Sequence, residues 1–462
     1  MTDTQRLTQF LAALRYEHLP PAVVAKTKAL FIDWLGCVFA AANQPEVKRF
    51  TDFATQMGAD QGVCGLLIGQ QRQSPYFAAL IHGAAGHALE QDDLHNGSVL
   101  HPATVVFPAA LAAAEDLAAS GQAFIEAVVV GYEAGIRIGE FLGRSHYQIF
   151  HTTATVGTLA AAVAVGKLHG FNAEQMGHAL GNAGTQAAGL WAFLVEGADS
   201  KPLHSAKANA DGLLAAYLTA QGLKGAQNIL ESPQGLGAGL SRAADASRLA
   251  DGLGKRWALL ETSLKLHACC RHTHPAADAF LQVKQAQGLR ATDIAAITCY
   301  VHQAALDVLG KVTKPTSVHQ AKFSMGTVLG LLACHGEAYL STFEHYALTS
   351  PQVAEVAARV TMVLDPEIEA AYPKAWRGKV LVETVTGERY WGCIDAPKGD
   401  PSEAFNAHDL SQKFYRLVAF SGVLTEAQAT RLMLKLSHLN DYASMRGLIH
   451  HLIQEPKESI HE

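Results

Sequence analysis

TVGTLAAAVAVGKLHGF, residues 155–171, sets the fold class. Apolar side chains return at steps of three and four, alanine dominates, and a break falls at Gly170, the pattern of an α-helix. The same texture runs from residue 4 to about 260, as in PPAVVAKTKALFIDWLGCVFAAA (20–42), YFAALIHGAAGHALE (76–90) and NADGLLAAYLTAQGL (209–223). So many small residues allow close helix approach, and an all-α bundle is expected.

Past about residue 265 the texture changes. IAAITCYVHQ (294–303), VAARVTMVLD (356–365) and GKVLVETVTGERYWGCID (378–395) alternate β-branched residues between turn formers and predict strands, the last stretch folding back at Thr386-Gly387. AKFSMGTVLGLLACHG (321–336) reads as helix, so the region forms a small α+β unit. From AHDLSQKFYRLVAF (407–420) the chain is helical again. The predicted architecture is mainly α: a large all-helical domain (1–264), a smaller α+β domain (265–404), and C-terminal helices (405–462) returning to the first.

The 462 residues are 49% hydrophobic and 17% charged, a composition that suits compact domains and argues against extensive disorder. A formal charge of −6 without a Lys/Arg run excludes a nucleic-acid footprint. Apolar runs such as LAAAVAVG stop short of the roughly 20 residues of a membrane span. The polar N-terminal stretch lacks a signal peptide's apolar core, so a cytoplasmic protein is expected. Seven scattered cysteines fit reduced thiols, and the adjacent Cys269 and Cys270 lack metal-ligand spacing.

Four stretches gather titratable groups between apolar helices. HALEQDDLHNGSVLHPATVVFPAALAAAE (87–115) offers Glu90, Asp92, Asp93, His95 and His101 at a helix end and in the following loop. YQIFHTTATVGTLAAA (147–162) sets His151 before Thr152, Thr153 and Thr155, any of which can cap the following helix. KPLHSAKANADG (201–212) carries Lys201, His204 and Lys207; SLKLHACCRHTHPAADAF (263–280) carries Lys265, His267, Arg271, His272 and His274 at the expected domain junction. Arginine offers bidentate carboxylate binding, and ligand sites favour such junctions.

Taken together, LFIDWLGCVFAA (30–41), HALEQDD (87–93), HPATVVFPAALAAAE (101–115), FHTTATVGTLAAAVAVGKLHG (150–170), KPLHSAKANADG, KLHACCRHTHPAADA (265–279), AKFSMGTVLG (321–330) and APKGDP (396–401) resemble the MmgE/PrpD family. That family includes 2-methylcitrate dehydratase, cis-aconitate decarboxylase and iminodisuccinate epimerase. The resemblance implies that the α+β unit is a lid, that the protein is a homodimer, and that it works without metal or organic cofactor at a site between domains.

The resemblance places the family's active-site histidines on His101 and His151 and its lysine on Lys201. Decarboxylase-like members read Asp-x-Asp-Asp-Thr where this chain has Glu90-Gln91-Asp92-Asp93-Leu94, and Thr327 stands where they carry a tyrosine. Tyr147 resembles a tyrosine of the epimerase-like branch.

The expected chemistry is proton abstraction next to a carboxylate of a small polycarboxylate, which needs a positioned base and fixed positive charge. His151 or His101 moves the proton. Lys201 stabilises the developing charge or serves as the opposing acid, and Asp92 or Asp93 orients a histidine. Arg271 with Lys265 or His274 holds a carboxylate, with His204 and Asp92 also facing substrate. The first expectation is a dehydratase-like hydro-lyase; epimerisation or decarboxylation is the alternative. A metal-dependent hydrolase built on Glu90, Asp93, His95 and His101, and a purely structural dimer, are the readings from other classes.

Overall fold

The computed structural model describes residues 1–58, 61–69, 71–196 and 198–448; the last part of the C-terminal segment, 449–462, lies outside the described residues. The helices used below are α1 (Asp3–Ala13), α2 (Pro21–Ala40), α3 (Pro75–His87), α4 (Ala103–Asp116), α5 (Gly121–Tyr147), α6 (Thr152–Leu168), α7 (Ser200–Ala220), α8 (His274–Gln287), α9 (Met325–His335) and α10 (Ala407–Ser421).

Helix α6, which takes in residues 155–168 of TVGTLAAAVAVGKLHGF, is apolar on every side and is buried from Thr152 through Lys167. A helix without a polar face belongs inside a core, and α4, α5 and α7 pack around it. Small residues set the spacing: a Cβ on Gly212 of α7 would stand 2.6 Å from the Thr158 carbonyl oxygen of α6. The one charge on α6, Lys167, sits at its C-terminal end. Its ammonium donates to the Ala12 carbonyl at 3.0 Å, near the C-terminus of α1, and pairs with Glu126 at 3.1 Å. Helix α5 starts on Ser120, whose hydroxyl accepts from Ala123 N–H at 3.2 Å, and kinks at Gly143, with φ 65° and ψ −165°.

Residues 221–262 depart from the continuous helical expectation, holding turns, short 3₁₀ segments and one five-residue α-helix, Leu236–Leu240. Gly222, Gly225, Pro233 and Gly235 break the helical period there.

The predicted strands all form. Ile294–Val301 (β1), Val360–Leu364 (β2), Gly378–Thr384 (β3) and Arg389–Ile394 (β4) make one sheet in the order β2-β1-β3-β4. Strands β1 and β2 are parallel and joined through helices including α9; β3 and β4 form the hairpin at Thr386-Gly387. Helix α8 packs on β3 and β4 over buried Ile297, Val380 and Val382. Helix α10 then returns to lie against α2. The protein is mainly α with one four-stranded mixed sheet and two two-stranded ladders, Cys64–Gly65 with Arg72–Gln73 and Leu94–His95 with Thr262–Ser263, among the described residues, and no described helix is long and apolar enough to cross a membrane.

Candidate active site

Helix α3 ends at His87, and the chain turns through Glu90, a non-glycine residue with φ 60°. That backbone is costly for a side chain with a Cβ and persists only where its surroundings impose it. Here lysines from four parts of the chain impose it. Lys322 donates to the Leu89 carbonyl at 3.2 Å, Lys265 to the Glu90 carbonyl at 3.2 Å, and Lys413 to the Gln91 carbonyl at 2.7 Å. Lys201, at the start of α7, donates to Glu90 Oε1.

Glu90 Oε2 lies 3.3 Å from Lys265 Nζ. Burial alone would raise this carboxyl, but Lys201 and Lys265 hold it well below the usual carboxylate range. Burial pulls the Lys265 ammonium down while Glu90 and Asp92 push it up, and the push prevails. At Lys322 burial outweighs the opposing pull of Glu90 and Glu344 and lowers the ammonium to about 8.

Asp92 follows and is shared by two imidazoles. His87 Nδ1 donates to its Oδ2 at 2.7 Å, and His101 Nδ1 stands 3.2 Å from the same oxygen. His87 lies edge-on to His101 at 4.8 Å and stacks on His151 at 5.6 Å between ring centres. His151 Nδ1 lies 3.1 Å from His204 Nδ1. Burial lowers His101 to about 4 despite Asp92, and lowers His151 well below its ordinary value, helped by His87 and Lys201. Both rings are therefore neutral at pH 7 and able to accept a proton. Trp191 and Phe193 flank His151.

Several sequence expectations meet a different arrangement. Asp93 commits one carboxylate oxygen to Ala103 N–H (2.9 Å), at the start of α4, and the other to Tyr132 O–H (2.8 Å). Burial raises it to about 8. Of the two aspartates, Asp92 is the one that touches imidazoles.

The hydroxyls after His151 do not cap α6; its N-cap is His151 itself, without a side-chain cap. Thr153 instead accepts from His101 N–H at 3.2 Å, and Thr155 bonds His146. Lys207 pairs with Asp211 one turn along α7, its side chain half exposed. Tyr147 is half-buried against Trp191 and His272, lining a cleft of about 560 Å³ with Arg144, Gln303, Val308 and Tyr372.

Arg271 gives Nη2 to Asp400 Oδ2 at 3.4 Å, while Nε and Nη1 are buried without a protein partner among the described residues. These donors lie on opposite edges of the guanidinium, and each is free to give a charge-assisted hydrogen bond to an anion. The charge of Arg271 bears on His272 and on His274, whose ring packs on His267 at 5.1 Å.

The metal reading loses its quartet. Glu90 faces lysines, Asp93 faces Tyr132, and His95 bonds Ser98 and Glu261, so these groups do not converge with His101. A different trio, His87, Asp92 and His101, brings ligand atoms within 4.8 Å of one another and has the donor types for a transition metal. Lys265, 3.9 Å from Asp92 Oδ1, opposes a cation there. His87, Lys322 and Lys413 were not singled out from the sequence, although His87 and Lys322 stand in quoted motifs.

Comparison with known proteins follows the same line. The MmgE/PrpD N-terminal domain matches residues 5–249, and the MmgE/PrpD C-terminal domain matches residues 267–439. The cis-aconitate decarboxylase of Aspergillus terreus is 27% identical over 481 residues, covering 98% of this chain and 97% of that protein. The cis-aconitate decarboxylase-like protein oryM of Aspergillus oryzae is 27% identical over 482 residues, covering 96% and 97%. Homo sapiens cis-aconitate decarboxylase is 25% identical over 425 residues, covering 89% and 86%.

Proposed function

Because the chain belongs to the MmgE/PrpD family, we propose that it acts on a small unsaturated or hydroxylated polycarboxylate, with decarboxylation of a cis-aconitate-like tricarboxylate ahead of dehydration. It is a lyase-type enzyme. The observation that carries the reading is the pairing of His87 and His101 with Asp92 and the stacking of His151 on His87, beside a carboxylate held between Lys201 and Lys265. Neutral imidazoles supply a base, and the lysines supply fixed positive charge where a carbanion beside a carboxylate develops.

In the decarboxylation, the bond to the departing carboxylate breaks, its electron pair moves onto carbon, and CO2 leaves. Lys201 stabilises that charge, and the carbanion takes a solvent proton relayed through His101 or His151, whose ring ends neutral as it began, so that hydrogen replaces the departed CO2 on carbon. Arg271, through its charge and an unpartnered nitrogen, holds a second carboxylate. Asp92 orients His101, and Asp93 leaves the catalytic set for a structural one. In this reading segment 265–404 works as a lid over 1–264, and the enzyme is a homodimer. Light scattering would report about twice the 49.2 kDa chain mass.

Epimerisation is the second reading. It rests on Tyr147 at the cleft and on Leu94 and Thr327 standing where decarboxylase-like relatives carry hydroxyl acids.

The test is incubation in deuterated water with cis-aconitate, 2-methylcitrate and an iminodicarboxylate in turn. CO2 release identifies a decarboxylase. A new alkene without CO2 identifies a dehydratase, and C–H exchange with inversion an epimerase. No reaction with any of them overturns the polycarboxylate reading. His151→Gln is expected to abolish the activity found while leaving the protein folded, and Lys201→Met to abolish it at reduced stability, with Lys265 still balancing Glu90.

A further inference from the structure

Lys413 belongs to α10, the helix that returns after the small sheet, more than 300 residues from Gln91 and Asp92. Its side chain is 1% exposed. The ammonium donates to the Gln91 carbonyl at 2.7 Å and pairs with Asp33 Oδ1 of α2 at 2.6 Å. Asp33 is itself fully buried, and burial raises its carboxyl against the pull of Lys413. Neither residue has a hydrogen bond to an imidazole among the described contacts.

The place it grips matters. Gln91 lies between Glu90, with its positive φ, and Asp92, which both His87 and His101 approach. The Gln91 side chain is committed elsewhere, its Nε2 donating to the His267 carbonyl at 2.8 Å. The direction of Asp92 therefore depends on how the Gln91 peptide is held, and the described hydrogen bond to that carbonyl comes from Lys413. We propose that Lys413 is a positioning residue for the reaction: by anchoring the Gln91 carbonyl from α10 it aims Asp92 Oδ2 at both imidazoles. Asp33 supplies the charge that lets a lysine stay buried there.

The proposal rests on the reading of Asp92 and its histidines as the working centre, so its test reads the rings directly as well as turnover. Removing one member of a buried pair endangers folding, and the comparison is made in a neutral background. Lys413→Met with Asp33→Asn lacks both charges and the donor. Lys413→Gln with Asp33→Asn lacks both charges but keeps an N–H for the Gln91 carbonyl.

The measurements are nitrogen-15 histidine spectra, with His87 and His101 assigned from single substitutions, the unfolding midpoint, and kcat and KM. In the Met double variant the ring signals of His87 and His101 are expected to move, and kcat to fall about 10- to 100-fold with KM within about twofold. The Gln double variant is expected to return the ring signals and kcat toward wild type. Unchanged ring signals in a folded Met double variant overturn the proposal, whatever the stability change. So does a Gln double variant that stays as impaired as the Met one. If the rings respond as expected but wild-type protein turns over none of the polycarboxylates, the positioning role stands and the lyase reading of the site falls.

Discussion

His151 Nδ1 and His204 Nδ1 face each other at 3.1 Å, so one ring carries the hydrogen and the other accepts it. That contact fixes a tautomer on each ring and leaves His151 Nε2 for other partners. Burial, then His87 and Lys201, lower His204 to about 4, so the contact is between neutral rings at pH 7.

Replacing His204 by Ala frees the His151 tautomer. General acid–base catalysis is worth about 10²–10⁴-fold, and loss of tautomer control is expected to forfeit about 10- to 100-fold of kcat. His204→Asn, which offers a donor and an acceptor at similar reach, should recover part of it. Wild-type kcat in His204→Ala would show that His151 needs no orienting partner.

The bond from Tyr132 to Asp93 makes a contrasting prediction. Between the ordinary carboxyl value near 4 and about 8, folded protein keeps a proton on Asp93 that the unfolded chain releases. Its contribution to stability is thus complete at low pH and lost as pH rises through 8. Asp93→Asn mimics the protonated acid and lacks that slope. Relative to wild type it should gain up to about 1.4 kcal/mol per pH unit between pH 6 and 8 in denaturant unfolding, with kcat within about tenfold of wild type. A stability difference independent of pH would mean that Asp93 is ionised in the fold.

The sequence period of α6, the hairpin of β3 and β4, and the crowding of histidines and lysines at helix ends were all legible, because each is a local pattern. The division of labour between Asp92 and Asp93 was not. Adjacent residues with one chemistry are separated only by which neighbours fold against them, here Tyr132 on one side and His87 on the other. Lys322 and Lys413 escaped notice for a related reason. Their partners are backbone carbonyls more than 200 residues away, and a carbonyl leaves no mark in composition or spacing.

Acid should unfold this protein through its imidazoles. Burial lowers His82 to about 3 and His101, His146 and His302 to about 4, all below the 6.5 of an unfolded histidine. Between those limits the unfolded chain binds protons that the fold refuses, so stability falls as pH drops from about 6.5 to 4. Each such histidine contributes about 1.4 kcal/mol per pH unit. Asp93 and Glu115, both raised to about 8, act in the opposite sense but are fewer. Urea midpoints measured from pH 7.5 down to 4.5 are expected to fall steadily below about pH 6.5; a flat profile would show that these rings are accessible to protons in the folded state.

Glu90 joins strained backbone to charge balance. Its carboxylate faces Lys201 and Lys265 in a buried setting, and its φ of 60° is held by the surrounding lysine contacts. Glu90→Gln keeps the shape but leaves the buried Lys201 ammonium without its counter-charge and Lys265 with Asp92 alone, and breaking such a pair costs about 3–5 kcal/mol. The variant should therefore unfold at lower denaturant concentration than wild type. A bound polycarboxylate restores negative charge near the same lysines, so ligand should stabilise Glu90→Gln by more than it stabilises wild type. Thermal shifts with and without a saturating tricarboxylate measure both effects. Equal ligand-induced shifts in the two proteins would show that substrate charge and the Glu90 carboxylate do not share Lys201 and Lys265, and would move the anion site toward Arg271.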